Sequence, residues 1–370
     1  MHMNESRRSF LRKSAFLAGG IAAGQGLQAN NVFYLRRKPQ KEKLGIALVG
    51  LGYYSTDLLA PRLQNTKHCY LAGIVTGTPA KEKVWMERYH IPRKNVYNYE
   101  NFDEIAGNDD IDIIYIVLPN SMHAEYTIRA ARAGKHVICE KPMALSVQEC
   151  RMMIDACHEA GVTLSIGYRM HFERTTQEVM KWGREKEFGK INYVHASAGF
   201  IWPDDNENHW KLKRSYGGGP LMDMGVYSIQ AARYSTQEEP VSVTGQQYKP
   251  DTVYFREVPQ TVTFQLAFPS GAVASLSSSF GNYSNQLYVS CTEGWYELNP
   301  FQAYGGIRGQ SSRGEISFPQ VDQQGTQMDE VALCIQEGKP MRVTGEEGLA
   351  DMKVVEAIRK ATETGKTISI

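Results

Sequence analysis

A short apolar segment, followed by a glycine turn and a helical stretch, constrains the fold of this chain more than any other feature. It runs from Lys43 to Leu63 and reads KLGIALVGLGYYSTDLLAPRL. The apolar run is too short for a helix, so the segment predicts a strand, a tight turn and a helix in that order. Gly50 and Gly52 occupy the first two glycine positions of a dinucleotide-binding fingerprint, and Ser55 occupies the third. Glycines there allow the backbone to approach a pyrophosphate at the start of the helix.

Further apolar runs alternate with helical segments through the first half of the chain. The runs cover residues 70–76, 112–119, 136–140 and 163–167. This alternation predicts a parallel, doubly wound sheet, and we expect an α/β Rossmann domain that binds NADP over residues 44–167.

The end of the second strand bears on which nicotinamide dinucleotide binds. An NAD enzyme usually places Asp or Glu there, to accept a hydrogen bond from the ribose 2′-hydroxyl. This chain has Thr76, Gly77, Thr78 and Lys81, whose hydroxyls and ammonium group suit a 2′-phosphate. Glu82 is close enough that NAD stays possible. The sequence therefore favours NADP.

The pattern changes beyond residue 168. Long segments with a period of two, such as 191–200 and 261–268, predict an α+β domain with a large, mainly antiparallel open sheet over residues 168–327. We expect this domain to bind substrate and to support oligomerisation. Helices within residues 328–370 have apolar faces and are expected to pack back on the first domain. An open sheet with an uncovered face favours a homodimer or a homotetramer.

Charge and cysteine spacing exclude several classes of partner. The chain has 41 Lys and Arg against 40 Asp and Glu, a formal net charge of +1. Such a balance gives no electrostatic footprint for nucleic acid or for an anionic membrane, and we expect neither as a partner. The six cysteines include no C-x-x-C and have no neighbouring His at zinc-ligand spacing. No metal site is predicted, and the thiols are expected to be free.

The N-terminal segment SRRSFLR, residues 6–12, matches a twin-arginine export signal. The stretch after it is too short and too weakly apolar to span a bilayer. We expect a signal peptide over residues 1–29, an arm over residues 30–43 and a periplasmic protein. A solvated basic tail and retention as a membrane anchor are the alternatives. Because this pathway carries folded proteins, a cofactor would travel already bound.

Two more motifs follow strands of the first domain. Pro119 and Asn120 end one strand, with His123 three residues on, and Glu140 and Lys141 end the next. Alone, E-K-P is normally a turn, and a lone His is normally solvated or a helix start. Because the carboxyl ends of parallel strands meet at one edge, we expect both motifs on the nicotinamide side of the crevice.

Five motifs together resemble one known family. GLGYYS, PNSMH, CEKP, GYRMHFER and GGGPLMDMGVYS have the order and spacing of the glucose-fructose oxidoreductase, inositol dehydrogenase and rhizopine-catabolism dehydrogenase (Gfo/Idh/MocA) family, from Lys43 to the end of the chain. GLGYYS, Tyr227 and the export signal point to the glucose-fructose oxidoreductase branch. That resemblance implies a periplasmic enzyme with tightly bound NADP. The expected cofactor-binding residues are Gly50, Gly52, Tyr53, Tyr54, Ser55, Thr76, Gly77, Thr78, Lys81, Pro119, Asn120, His123, Glu140 and Lys141.

The segment YGGGPLMDMGVYSIQAARY provides the candidate chemistry. Three glycines precede a helix that has Asp223 and Tyr227 four residues apart on one face. Oxidising a sugar hydroxyl requires a hydride acceptor and a group that takes the proton, and a tyrosine does this at neutral pH only beside a cation. The resemblance implies Lys141, Asp223 and Tyr227 as the catalytic group, with Asp223 orienting substrate or base. Most of the family has His at the position of Tyr227. The structural alternative is that Asp223 caps the helix and Tyr227 packs in the core.

The expected substrate contacts are Tyr168, Arg169, Trp210 and Tyr227. Tyr168 and Arg169 could equally serve interdomain packing, and Trp210 with Lys211 could lie in a surface loop. We expect an NAD(P)-dependent oxidoreductase that acts on the hydroxyl or carbonyl of a sugar or polyol and recycles NADP(H) in place. An NAD-dependent glycoside hydrolase of the same fold, using transient oxidation, is one alternative. A non-catalytic nucleotide-sensing protein is the other.

Overall fold

The structure is a computed structural model that describes residues 41–203, 206–250 and 253–370. The predicted signal peptide and nearly all of the predicted arm lie outside these residues. Within the described ranges, no helix has both the length and the apolar character needed to cross a bilayer.

The first sheet is parallel and lies in the first half of the chain. Its strands are ordered β3-β2-β1-β4-β5-β6. Every residue of β1 is buried, which agrees with a strand covered on both faces. The order reverses between β1 and β4, so the crevice at their carboxyl ends is where such a sheet binds a ligand. The strands are β1 (Leu44–Val49), β2 (Cys69–Val75), β3 (Val96–Tyr97), β4 (Ile113–Ile116), β5 (His136–Cys139) and β6 (Leu164–Ile166).

Helices connect these strands. Helix α1 begins with a π-helical segment, Tyr54–Leu59, and continues as the α-helical segment Ala60–Leu63. The helices that follow are α2 (Pro79–Tyr89), α3 (His123–Arg132) and α4 (Val147–Glu159). The prediction of a Rossmann fold is confirmed.

The second sheet is mixed and mostly antiparallel, and its strands are ordered β14-β13-β12-β11-β7-β10-β9-β8-β15. Only the β7–β10 pair is parallel among the described strand pairs of this sheet. In β9, Val262, Phe264 and Leu266 are buried, whereas Thr263 and Gln265 are exposed on the opposite face. The predicted open sheet is therefore confirmed. Its strands are β7 (Ile191–Ile201), β8 (Ser242–Tyr248), β9 (Thr261–Ala267), β10 (Val273–Ser279), β11 (Gly281–Cys291), β12 (Gly294–Leu298), β13 (Gly309–Ser311), β14 (Gly314–Ile316) and β15 (Ile368–Ser369).

The helices of the second half are α5 (Arg174–Glu185), α6, α7 (Gln323–Glu337) and α8 (Gly345–Thr364). Helix α6 starts as the π-helical segment Leu221–Gly225 and continues as Val226–Thr236. Helix α7 packs on α1 and β2 of the first domain, whereas α8 contacts both α4 and β8. The C-terminal helices thus join the two sheets, and β15 completes the second sheet beside β8.

A buried ion network attaches α6 to α8. Arg233 of α6 is 2.6 Å from Asp351 and 2.7 Å from Glu347, both on α8, and 2.6 Å from Glu239. Asp351 is completely buried, and Arg233 is nearly so. A buried charge needs such partners because removal from water is costly. The network therefore fixes the helix that contains Asp223 and Tyr227.

We predict that Arg233→Met lowers the free energy of unfolding by about 3–5 kcal/mol, because it leaves the buried carboxylate of Asp351 without its cation. Chemical denaturation measures the change. Lys83→Met is the control, because Lys83 and its partner Glu87 are largely exposed and should contribute little. Equal effects of the two substitutions would contradict the prediction.

Candidate functional site

The glycine turn after β1 has the geometry of a dinucleotide cradle. Gly50 has a φ of +89°, and a Cβ there would lie 2.4 Å from the carbonyl oxygen of Val117, so the protein itself requires glycine. A Cβ on Gly52 would meet no atom of the described chain within 4 Å. Ser55 is fully buried and donates its hydroxyl to the carbonyl oxygen of Gly50 at 2.6 Å. The serine at the third fingerprint position thus closes the turn, and the space beside Gly52 fits a pyrophosphate.

Residues at the end of β2 lie beside this turn. Lys81 donates from Nζ to the carbonyl oxygen of Leu51 at 2.6 Å, which brings its ammonium group to the glycine turn. Thr76 is buried and accepts a hydrogen bond from the backbone N–H of Thr78. Glu82 pairs with Arg93. The carboxylate of Glu82, which could accept a hydrogen bond from the ribose of NAD, therefore already has a partner within the protein.

The motif after β4 shapes the crevice. Asn120 is buried and donates from Nδ2 to the carbonyl oxygen of Gly217 at 2.8 Å, which joins the two domains. His123 is completely buried, with its ring nitrogens 2.8 Å and 2.9 Å from the carbonyl oxygens of Pro142 and Leu118. Burial lowers the pKa of His123. The ring is completely buried and both nitrogens face carbonyl oxygens of the protein, so in this structure His123 lies between two loops, and its predicted contact with the cofactor stays a prediction.

Glu140 lies at the end of β5 and is buried. Its carboxylate accepts hydrogen bonds from the hydroxyl of Tyr115 at 2.7 Å and from the backbone N–H of Lys141 at 3.3 Å. Burial raises the pKa of Glu140 to about 7, against the opposing effect of the Tyr115 hydrogen bond. Gln327 donates to the hydroxyl of Tyr115, so α7 supports this carboxylate from behind.

Asp223 lies between two lysine ammonium groups. Lys141 donates from Nζ to the backbone carbonyl of Asp223 at 2.8 Å and lies 3.4 Å from its Oδ1. Lys211 lies 2.8 Å from Oδ2. Burial opposes ionisation of the carboxyl group, but the two ammonium groups outweigh it and lower the pKa of Asp223 to about 2. Asp223 is therefore ionised at neutral pH.

Tyr227 completes the group. Lys141 Nζ is 4.9 Å from the centroid of the Tyr227 ring. Burial favours loss of the Lys141 proton, but electrostatic interactions with Tyr227, Asp223 and Glu140 outweigh this effect and raise the pKa of Lys141. Asp223 lies inside the π-helical first turn of α6, whose N-cap is Pro220, so it does not cap the helix. The structure brings together the three residues of the predicted catalytic group.

Two of the predicted substrate contacts point in different directions. Arg169 is buried against the Tyr227 ring, with its guanidinium carbon 5.3 Å from the ring centroid. The neighbouring Tyr168 points away, and its hydroxyl lies near Asp351 in the network that joins α6 to α8. Tyr168 therefore does not reach the crevice. Tyr168 is the N-cap of the short 3₁₀ turn that begins at Arg169, beyond the end of the strand.

Trp210 lies next to Lys211 in a short helical turn and is partly exposed. Lys211 Nζ lies 5.9 Å from its ring centroid, and the imidazole of His209 stacks on it at 5.9 Å. An aromatic surface therefore flanks the Asp223 cluster.

Tyr304 also lies at the site, although no sequence motif pointed to it. This residue lies in the loop after β12, and its ring centroid is 6.2 Å from that of Tyr54 in α1. The Arg169 guanidinium carbon is 4.4 Å from the Tyr304 ring centroid. Its position between Pro300 and a Gly-Gly pair marks the segment as a loop. No neighbouring residue in the sequence indicates that this loop returns to the first domain.

We predict opposite patterns for two alanine substitutions in the turn. Gly50→Ala should destabilise the fold and weaken dinucleotide binding, because its Cβ collides with the Val117 carbonyl. Gly52→Ala should leave the thermal unfolding midpoint unchanged and should weaken only the binding of NADP. A Cβ on residue 52 would contact the bound nucleotide but no atom of the described protein. Thermal unfolding and calorimetric titration with NADP, on protein that has been unfolded to release its nucleotide and then refolded, measure both effects. Unchanged affinity of Gly52→Ala would argue against a pyrophosphate at this turn.

Three family models match the chain. Residues 44–168 match the oxidoreductase family with an NAD-binding Rossmann fold, residues 176–297 match the GFO/IDH/MocA C-terminal domain, and residues 313–370 match the C-terminal alpha/beta domain of the oxidoreductase family. Together they cover all of the first sheet and most of the second.

Known proteins resemble this chain over most of its length. The crystal structure of aldose-aldose oxidoreductase from Caulobacter crescentus, complexed with glycerol, is 42% identical and superposes with a TM-score of 0.85, over 89% of this chain and 100% of that chain. D-xylose 1-dehydrogenase [NADP(+)] of Haloarcula marismortui is 28% identical over 337 residues, 88% of this chain and 92% of the relative. Apo scyllo-inositol dehydrogenase from Lactobacillus casei, at 18% identity and a TM-score of 0.72, shares the fold. The chain is therefore a member of the Gfo/Idh/MocA family of oxidoreductases, as its motifs predicted.

Proposed function

We propose that this chain is an exported, NADP-dependent sugar oxidoreductase that keeps its dinucleotide bound and reuses it. The observation that carries the proposal is the cluster of Lys141, Asp223 and Tyr227 beside the dinucleotide-binding sheet. The names of two relatives, an aldose-aldose oxidoreductase and an NADP-dependent xylose dehydrogenase, support a sugar as the substrate.

The protein must manage the proton of the reacting hydroxyl, and we assign this task to Tyr227. Bound NADP supplies the acceptor and later the donor of a hydride. Tyr227 takes the hydroxyl proton while Lys141, 4.9 Å from its ring centroid, provides the positive charge that favours the phenolate. Asp223 fixes the Lys141 ammonium group through both its carbonyl oxygen and its carboxylate.

Charges around the glycine turn support NADP over NAD. Lys81 reaches the turn at the carbonyl oxygen of Leu51, where its ammonium group can pair with a 2′-phosphate. The carboxylate of Glu82 pairs with Arg93 and so does not offer a free acceptor to a ribose 2′-hydroxyl.

A contact between the two domains supports retention of the dinucleotide. Tyr304 of the second domain meets Tyr54 beside the glycine turn, and Arg169 anchors the Tyr304 loop by donating to the carbonyl oxygen of Ala303 at 2.7 Å. A dinucleotide that stays bound must be reoxidised in place. A second carbonyl compound would take up the hydride, and Tyr227 would give it the proton that it took from the first sugar.

The aromatic surface formed by Trp210 and His209 supports a carbohydrate. The apolar face of a sugar ring packs on an aromatic ring, and its hydroxyls can bond to the adjacent Lys211. The SRRSFLR segment supports export of the folded, loaded protein. Homo-oligomer formation through the open sheet remains a part of this proposal.

We predict that the purified protein releases NADP(H) only on denaturation, and that an aldose reduces the bound nucleotide without added NADP. Tyr227→Phe should slow this single-turnover reduction by about 10²–10⁴-fold, since it removes the group that takes the proton. Absorbance of the reduced nicotinamide measures the rate.

Tyr283→Phe is the matched control, because Tyr283 is the most exposed tyrosine of the described chain and should not affect the rate. A wild-type rate in Tyr227→Phe would remove Tyr227 from the mechanism. Release of an aglycone from a glycoside, with no second carbonyl compound required, would indicate the hydrolase instead.

A second prediction concerns export. Changing both Arg7 and Arg8 to Lys should leave the protein in the cytoplasm, because the pathway reads the arginine pair. Immunoblots of periplasmic and cytoplasmic fractions measure the distribution. Arg12→Lys keeps the pair and the positive charge, and it should be exported normally. Continued export of the double variant would contradict a twin-arginine signal.

A further inference from the structure

Arg169 is a buried cation without a carboxylate partner. Its side chain is 2% exposed, and no Asp or Glu of the described residues lies within 4.0 Å of its guanidinium group. Its hydrogen bonds go to uncharged acceptors, the carbonyl oxygen of Ala303 and the amide oxygens of Gln302 and Gln323. Within the described part of the chain, Arg169 Nε has no hydrogen-bond partner. A charge removed from water in this way requires compensation from its surroundings.

Phenol groups supply much of that compensation. The guanidinium carbon lies 4.4 Å from the ring centroid of Tyr304 and 5.3 Å from that of Tyr227. Burial lowers the pKa of Arg169, but electrostatic interactions with Tyr227, Tyr54 and Tyr304 outweigh it and raise the pKa. Tyr227 makes the largest of these contributions.

We propose that Arg169 is a positioning residue that stabilises the phenolate of Tyr227, so that Tyr227 works beside two cations, Arg169 and Lys141. This inference rests on the proposed function, in which Tyr227 takes the proton of the sugar hydroxyl. Arg169 acts on Tyr227, whereas the sequence analysis expected it to contact the substrate. A buried guanidinium whose hydrogen bonds go to the Tyr304 loop and to the start of α7 is poorly placed to bind a sugar.

The other groups near Tyr227 fit this assignment. Lys141, Arg169, Tyr54 and Tyr304 interact with it electrostatically. Burial raises the pKa values of Tyr54 and Tyr304, so these two phenols keep their protons. Glu140 opposes a phenolate when it is ionised, and burial raises its pKa to about 7.

The carboxylate of Asp223 holds Lys141 and also faces Lys211, so it is neutralised from two sides. Arg169 is therefore the cation of this cluster that no carboxylate of the described chain pairs with. Glu140 interacts with Arg169 electrostatically but forms no ion pair with it, and burial raises the pKa of Glu140 to about 7, so the charge of Arg169 is only partly offset and is available to a phenolate.

Two substitutions test the proposal on the holoenzyme. Arg169→Met removes the charge at similar volume, and Arg169→Lys keeps the charge but loses the forked hydrogen bonds. Single-turnover reduction of the bound nucleotide by an aldose is followed across pH. An opposite charge a few ångströms from a titrating group shifts the pKa of that group by about one to three units. We expect the rising limb of the rate to move to higher pH by at least about one unit in Arg169→Met and by less in Arg169→Lys, with KM for the sugar unchanged.

A second readout does not depend on turnover. Ultraviolet titration of tyrosinate, compared between each variant and its Tyr227→Phe counterpart, isolates the signal of Tyr227. This signal should appear at higher pH in Arg169→Met. Arg342→Met is the control, because Arg342 packs on Phe172 and pairs with Glu330 at a partly exposed site. It should leave both the rate profile and the titration unchanged.

The outcomes separate this inference from the proposed function. An unchanged profile and titration in Arg169→Met would overturn the role of Arg169 while sugar turnover stands. A raised KM with an unchanged profile would also overturn it and make Arg169 a substrate contact. If Arg169→Met does not fold, Arg169→Gln, which removes the charge but keeps hydrogen-bonding groups, takes its place, and an unshifted titration of Tyr227 in that variant overturns the role equally. Full activity of Tyr227→Phe would instead refute the mechanism under "Proposed function".

Discussion

One buried carboxylate joins the two domains at the crevice. Asp223 belongs to α6 of the second domain, and Lys141 follows β5 of the first. Lys211 meets the other carboxylate oxygen. Without Asp223, two ammonium groups would face each other in a poorly solvated site, so the carboxylate determines where both lie. The position of Tyr227, four residues further along α6, then follows from helix geometry. Chemistry at the crevice thus depends on this one ionised group.

The supporting groups around the cluster have most of their polar atoms engaged inside the protein. Asn120 and His123 bond to backbone carbonyls, and Glu140 accepts from Tyr115, which in turn accepts from Gln327 of α7. These hydrogen bonds fix the orientation of the side chains around the cluster and leave few of their polar groups free to react. Arg169 differs from this shell, because its charge has no carboxylate partner and its nearest rings are those of tyrosines. The helix that contains Asp223 and Tyr227 is itself held by Arg233 and Asp351, which lie outside the crevice.

Positions at strand ends could be predicted from the sequence because parallel strands converge at one edge. This rule predicts Gly50 and Lys141 at the carboxyl edge of the first sheet, where each follows its strand in the structure, and helical spacing predicts Asp223 beside Tyr227. The rule specifies where a backbone arrives and not which way a side chain points, and the structure shows the His123 ring and the Tyr168 hydroxyl facing groups inside the protein. Tyr304 had no local signal at all, because its partner Tyr54 lies some 250 residues earlier in the chain.

The sequence by itself determined the two sheets, the dinucleotide turn and the family, because these depend on periodicity, on glycine conformation and on motifs of fixed spacing. The tertiary structure alone decided the charge environment of the site. Burial and distance set whether Asp223 is ionised, whether Glu140 has a raised pKa and whether Arg169 has a counter-ion. Those quantities depend on how the domains pack, and packing brings together residues that no local pattern connects.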